Sequence, residues 1–266
     1  MSIDETVSQS SRSWLYLMSA VTALFLILPI AMIIPMSFTD AAFLRFPPGQ
    51  WSFRWYRAFL ESEQWRGAAR TSIIVALGTV AVATPVGTLA AYGVLTSRSK
   101  FANLVWLIVM APLVVPLVLT AVGLYFLYAR LDLNGTWFGL VLAHSMHAVP
   151  YVFVTMFSAL QGFDLDQPRV AQSLGATPAY AFRTITLPQI KLSLTVAALL
   201  AFLSSFDEVV MALFISGGDH VTLPKLMFED LQFSLDPTIA AASSLMLVVA
   251  LAVLTVTQLL SKRARS

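Results

Sequence analysis

Apolar positions along this chain fall in long unbroken runs separated by short polar stretches. Six runs reach the roughly 20 mainly apolar residues that a helix needs to cross a bilayer. They are 15–37, 69–95, 102–129, 137–160, 188–216 and 238–260. A backbone in lipid finds no water to satisfy its N–H and C=O groups, so runs of this length are expected to be α-helical. Pro85, Pro112, Pro116 and Pro150 lie inside the runs. Each removes a backbone donor and is expected to kink its helix, a habit of helices around transport paths.

Two polar stretches are too patterned to be plain loops. `WSFRWYRAFLESEQWRG` (51–67) interleaves Trp51, Trp55, Tyr56, Phe59 and Trp65 with charges. It predicts an interfacial amphipathic helix with aromatic anchors; a substrate gate is the other reading. `QGFDLDQPRVAQSLGATPAYAFRTITLP` (161–188) predicts two short helices joined by a turn. Asp164 or Asp166 can cap the first, where negative charge suits the helix dipole. Val170, Ala171 and Leu174 recur at helical spacing. Gly175 supplies the left-handed backbone a turn needs. Thr177 can cap the second helix with Pro178 at its first position. Phe182 and Ile185 are its apolar contacts, and Pro188 is expected to start the fifth span.

Charge orients the spans. Six crossings place both termini on one side, and `TSRSK` (96–100) and the tail's Lys262, Arg263 and Arg265 make that side cytoplasmic by the positive-inside rule. Residues 1–14 are then a cytoplasmic N-terminal segment, 15–260 a single transmembrane domain, and 261–266 a cytoplasmic tail. The 161–188 segment faces the cytoplasm too. Arg45, Arg54, Arg57 and Arg66 in the outer 38–68 loop run against this bias. The N-terminus carries Asp4 and Glu5 and no small-residue cleavage site follows its apolar run, so a retained first helix fits better than a cleaved signal peptide.

Composition agrees with the membrane class. The 266 residues are 58% hydrophobic and 11% charged, against about 45–50% and about 25% in soluble domains. Absence of cysteine excludes disulfides, thiolate nucleophiles and iron–sulfur clusters. A net charge of +2, spread along the chain, gives no nucleic-acid footprint. No phosphate-binding G-x-x-x-x-G-K-[ST] loop occurs, so no ATP site of that kind is expected, nor do common dinucleotide, zinc-protease or hydrolase motifs. His144 and His147 sit three apart with no carboxylate beside them in sequence, so a packing or hydrogen-bonding pair is expected and no metal or cofactor is assigned.

The fifth run, `LLAFLSSFDEVVMALF` (199–214), carries Asp207 and Glu208. A charge at a helix centre costs about 2.5–3.5 kcal/mol on insertion scales. On one continuous helix Ser204, Asp207 and Met211 would share a face, with Ser205 and Glu208 turned away from it. Two readings stand: a structural hydrogen bond or ion pair, or attraction of a cationic substrate entering a path. Tyr125, Tyr128 and Tyr151 would add cation–π surface if they line the same cavity.

At 161–188 the chain resembles the loop of binding-protein-dependent ABC importer permeases, in which an E-A-A run precedes a glycine and then L-P. Ala171, `LGA` (174–176) and `TLP` (186–188) carry the match; Arg169 stands where the family usually has Glu, and Val170 replaces the first Ala. `SFRWYRAFL` (52–60), `NGTWFGLVLAHSMHAVPYVFVTM` (134–156) and `AFLSSFDEVVMALFISGGDHVTLPKLMF` (201–228) are similar to the second permease subunit of the spermidine/putrescine subfamily. The resemblance implies an all-α membrane protein with six transmembrane helices, a type I ABC importer permease fold and a cytoplasmic coupling helix. It implies a bacterial inner-membrane permease with no ATP site of its own. Its partners would be a second permease subunit, two copies of an ATPase subunit, a periplasmic binding protein meeting the 216–224 loop, and the lipid bilayer. Arg169, Ala171, Leu174, Gly175, Ala176, Thr177, Phe182 and Pro188 would form the ATPase-coupling surface. Asp207, Glu208, Ser204, Tyr125 and Tyr151 would line the path of a polyamine-like, opine, 4-aminobutyrate or aminophosphonate solute. The rival is an ion-coupled secondary transporter or a membrane enzyme, with Asp207, Glu208 and His144 as a proton relay.

Overall fold

The computed structural model describes residues 9–97, 99–233 and 236–265. The opening eight residues with Asp4 and Glu5, Arg98 of the basic loop, and Ser266 lie outside the described residues. Twelve α-helices follow in order: α1 Gln9–Ser37, α2 Arg54–Glu61, α3 Glu63–Thr96, α4 Phe101–Val114, α5 Leu117–Arg130, α6 Trp137–Gln161, α7 Asp166–Ser173, α8 Pro178–Ala181, α9 Leu187–Phe206, α10 Val210–Ile215, α11 Leu223–Phe233 and α12 Thr238–Arg265. A π-helical turn, Phe182–Thr186, joins α8 to α9. No β-strand occurs among the described residues.

Among the described residues, five continuous helical stretches are long and apolar enough to cross a membrane: Trp14–Ser37, Glu63–Thr96, Trp137–Gln161, Pro178–Phe206 and Thr238–Leu260. The sixth is the pair α4 and α5, bent by 105°. The 102–129 run is therefore not one helix. Val115 is extended at φ −77 and ψ 131, the conformation a following proline enforces, and Pro116 then opens α5 with no N–H to lose. The amphipathic stretch 51–67 also divides. Ser62 leaves helical geometry, and its hydroxyl accepts from the Trp65 amide at 3.4 Å to cap α3; Trp65 thus belongs to the second span.

Two compact units make up the chain, Met1–Glu61 with Asp230–Leu245 and Ser62–Glu229 with Met246–Ser266. In the first, aromatic rings order the segment between α1 and α2. Phe38 meets Phe53 edge-on at 5.3 Å and lies 5.1 Å from Tyr56. The Tyr56 hydroxyl sits 2.7 Å from that of Ser37, and the Trp55 indole N–H donates to the Ala41 carbonyl.

In the second unit α3, α6 and α9 pack on one another. Ala83, Ala91, Val152, Phe153, Met156, Leu160, Ile190, Ala197 and Ala201 fill the half nearer residues 161–188. Val75, Ala121, Leu140, Val141, Met211 and Ile215 fill the half nearer α10. Small residues let the helices approach, as is usual where lipid gives no hydrophobic push. A Cβ on Gly78 would sit 2.6 Å from Val141, and one on Gly87 2.7 Å from Val152. Both pairs advance in the same direction, so α3 and α6 run parallel. One buried polar chain crosses the three helices. The Ser205 hydroxyl lies 2.9 Å from His144 Nδ1 and 3.2 Å from the Thr79 hydroxyl. His144 is thereby a tie between helices.

Candidate functional site

The 161–188 segment folds largely as its residues dictate. Neither Asp164 nor Asp166 is the N-cap of α7: Leu165 holds that position without a side-chain bond, and the Asp166 amide, in the first turn, donates to Asp164 Oδ1 at 3.0 Å. Arg169 Nη1 meets Asp166 Oδ1 at 2.8 Å, both side chains exposed. At the far end Gly175 takes φ +96. Its amide donates to the Gln172 carbonyl and the Ala176 amide to the Ala171 carbonyl, each at 3.0 Å. That bond pair is the Schellman closure, and it needs a left-handed residue at the position Gly175 occupies. The Thr177 hydroxyl accepts from the Tyr180 amide at 3.2 Å, with Pro178 opening α8.

Beyond α8 the structure departs from expectation. Pro188 stands in the first turn of α9, as expected, but the span does not begin there: the helical stretch is continuous from Pro178 through the π turn to Phe206. Because Pro188 has no N–H and its ring crowds the carbonyl four residues back, the chain widens into the π turn Phe182–Thr186 just before it. Gln189 Nε2 donates to Gln167 Oε1 at 2.8 Å, tying this helix to α7. Phe182 turns inward, its ring 4.9 Å from Tyr92 and edge-on. The outward apolar residues are Val170, Leu174, which is 84% exposed, and Tyr180. Arg169, Gly175 and Thr177 are exposed beside them, with Ala171 and Ala176 half-buried. Tyr180 escaped notice in the sequence because it reads as one more residue of a short helix; its place three after the Thr177 cap was the available signal.

The second candidate region lies where the fifth span breaks. α9 stops at Phe206, Asp207 closes it, and α10 restarts at Val210. The shared face of Ser204, Asp207 and Met211 therefore does not exist as a helical stripe. Met211 is buried, while Asp207 is exposed. Glu208, only 7% exposed, folds back: its Oε1 accepts from the Met211 amide at 3.0 Å. A carboxylate there also suits the N-terminal end of a helix dipole. The opposite end of α10 is held as well. Lys225 Nζ donates to the Ser216 carbonyl at 2.7 Å, and the Gly135 amide to that of Ile215 at 2.8 Å. Tertiary partners thus hold a six-residue helix that propensity alone would not.

A cavity of 440 Å³ opens against this break. Ser204, Asp207, Glu208 and Tyr151 line it with His147, Leu117, Leu200, Leu203, Val209 and Val210. Four of the five residues assigned to the path from sequence thus meet. Tyr125 is not among the lining residues. It sits on α5 beyond the 105° bend, its ring against Phe126. Tyr128 is buried in the core. His147 lines this cavity although the sequence did not place it with these residues. It precedes Tyr151 by four on α6, hence on the same face, and the two rings stand edge-on at 5.5 Å. His147 Nε2 lies 4.0 Å from Glu208 Oε2.

A family model described as "Binding-protein-dependent transport system inner membrane component" matches residues 83–266. The putrescine transport system permease protein PotI of Escherichia coli (strain K12) is 33% identical over 230 residues, 84% of this chain and 82% of that protein. The spermidine/putrescine transport system permease protein PotC of Haemophilus influenzae (strain ATCC 51907 / DSM 11121 / KW20 / Rd) is 29% identical over 243 residues, 90% and 93% of the two chains. Among solved structures, a bacterial ABC transporter involved in the import of the acidic polysaccharide alginate superposes with TM-score 0.71 at 16% identity, over 95% of this chain and 98% of that one. An amino acid ABC transporter with histidines gives 0.57 at 16% identity, over 79% and 95%. These structures speak to the fold, and their differing cargoes show that the fold does not choose the solute.

Proposed function

The chain belongs to the family of binding-protein-dependent transport system inner membrane components, and on that premise we propose that its cargo is a small organic amine passed along the cavity at the α9–α10 break. It is a permease subunit of an ABC importer, a multi-pass membrane protein whose ATP is hydrolysed by a separate subunit. The observation that carries the amine reading is the carboxylate of Asp207 on the wall of a cavity that also holds Tyr151. A cation loses hydration on entering such a space, and a carboxylate and an aromatic face each offset part of that loss. Both named permease relatives act on polyamines, which supports the same class.

In this reading the 161–188 segment lies in the cytoplasm, as do both termini, and docks on the ATPase subunit. A second permease completes the path and a periplasmic binding protein delivers the amine. Val170, Leu174 and Tyr180 would enter the ATPase cleft around the Gly175 turn. Reconstitution tests the whole. Proteoliposomes carrying the chain with its permease, ATPase and binding-protein partners should accumulate labelled putrescine only when ATP is enclosed with the ATPase. Uptake by this chain alone, driven by a proton or sodium gradient, would instead favour the ion-coupled rival.

Arg169 gives a second test. It pairs on the surface with Asp166, and such pairs contribute about 0–1 kcal/mol. Arg169→Glu should therefore leave the chain as stable as before. If Arg169 faces a complementary charge on the ATPase, the same change lowers ATPase-coupled uptake severalfold. Unchanged coupling would remove Arg169 from the docking surface.

A further inference from the structure

We propose that the adjacent carboxylates at the span break divide the work: Asp207 alone meets the cargo, while Glu208, steadied by His147, is a positioning residue that holds α10. Sequence offers the same two readings for both carboxylates, and both line the cavity, but their burial and bonding differ. Glu208 is 7% exposed and spends one oxygen on the Met211 amide at 3.0 Å. Its other oxygen lies 4.0 Å from His147 Nε2. His147 is itself set edge-on against Tyr151. A buried carboxylate with one oxygen committed to a backbone amide and the other turned toward His147 has little to offer a passing ammonium group. Drawing it into the cavity would also uncap α10, leaving the buried Met211 amide as a donor without its acceptor.

Asp207 is the opposite case. It is exposed on the cavity side and makes no side-chain hydrogen bond or ion pair to another residue among the described ones. Its backbone closes α9 through bonds to Leu203 and Ser205, so the side chain is presented from a fixed anchor. The chain thus gives the path one free anionic contact and meets one ammonium group at a time. Contact occurs after the binding protein has released its load. Losing it should therefore slow turnover rather than weaken capture.

The chain contains no cysteine, which makes a direct accessibility test clean. In the assembled importer Asp207→Cys should be modified within minutes by a small cationic water-soluble thiosulfonate, and Glu208→Cys should resist. In proteoliposomes Asp207→Asn should lower the maximal rate of putrescine uptake by roughly tenfold, the scale of one charged hydrogen bond, with KM little changed. Glu208→Gln keeps an oxygen for the Met211 amide and should stay within about twofold of the parent. Glu208→Ala, lacking that acceptor, should lower both thermal stability and rate. The uptake arm rests on the amine reading; the labelling arm does not depend on the cargo. An importer that ignores putrescine but labels at 207 and not at 208 would defeat the amine reading and keep the division. Equal labelling at the two positions, or a Glu208→Gln loss equal to that of Asp207→Asn, would overturn the division.

Discussion

Replacing Leu174 with aspartate is expected to abolish ATP-driven uptake, a fall of well over tenfold, while the chain still reaches the membrane at its usual level. Leu174 is 84% exposed, immediately ahead of Gly175. Its own fold gains almost nothing from it, so its removal leaves no internal cavity. A large apolar side chain exposed on a rigid turn is a candidate anchor for a docking surface, where truncating a well-packed anchor costs about 2 kcal/mol or more. Aspartate goes further, because an unpaired carboxylate carried into a dry cleft must shed its hydration. Two kcal/mol is already about thirtyfold in affinity. The check is co-purification of the ATPase with the permease, alongside ATP-dependent uptake in vesicles. Full retention of the ATPase and of uptake would mean that residues 161–188 do not dock through the Gly175 turn.

That turn shows what kind of structure the sequence makes legible. Gly175, Thr177 and Pro178 act through neighbours two or three residues away, and their bonds form as expected because no distant group is needed. The apolar runs were legible for the same reason, since length and composition alone qualify them for a bilayer. What failed to show was whatever depends on long-range partners. Residues 199–214 contain no proline or glycine, so nothing local announces the break at Asp207. The helix after it is held by Lys225 on Ser216, nine residues on, and by Gly135 on Ile215, from a segment remote in sequence. Phe182 looked like docking surface because it recurs on the apolar side of a short helix; Tyr92 of α3 claims it instead. Pro116 did announce a disturbance, but the 105° direction change depends on Val115 going extended as well. Four of the five residues assigned to a path from sequence converged on one cavity, whereas Tyr125 lies on α5 beyond that same bend.

Substituting Gly87 should damage the packing of α3 on α6. A Cβ there would stand 2.7 Å from Val152 Cγ1 and 3.1 Å from the Phe153 amide nitrogen. The valine methyl has little room to turn, because a β-branched residue in a helix has one strongly preferred rotamer. The amide nitrogen is backbone and cannot give way without moving α6. Both Val152 and Phe153 are fully buried. Gly87→Ala is therefore expected to cost about 1–3 kcal/mol, the range for overpacking, although alanine is the better helix former by about 1 kcal/mol. Gly87→Leu should separate α3 from α6 and prevent assembly. Gly93 on the same helix supplies the control: a Cβ there meets nothing within 4 Å, so Gly93→Ala should match the parent or exceed it in stability. Thermal unfolding of the three chains in one detergent decides the matter. A Gly87→Ala midpoint equal to that of Gly93→Ala would show that α3 and α6 do not approach this closely at Gly87. The core would then have to be held mainly by the bonds from Ser205 to His144 and Thr79 rather than by close helix contact.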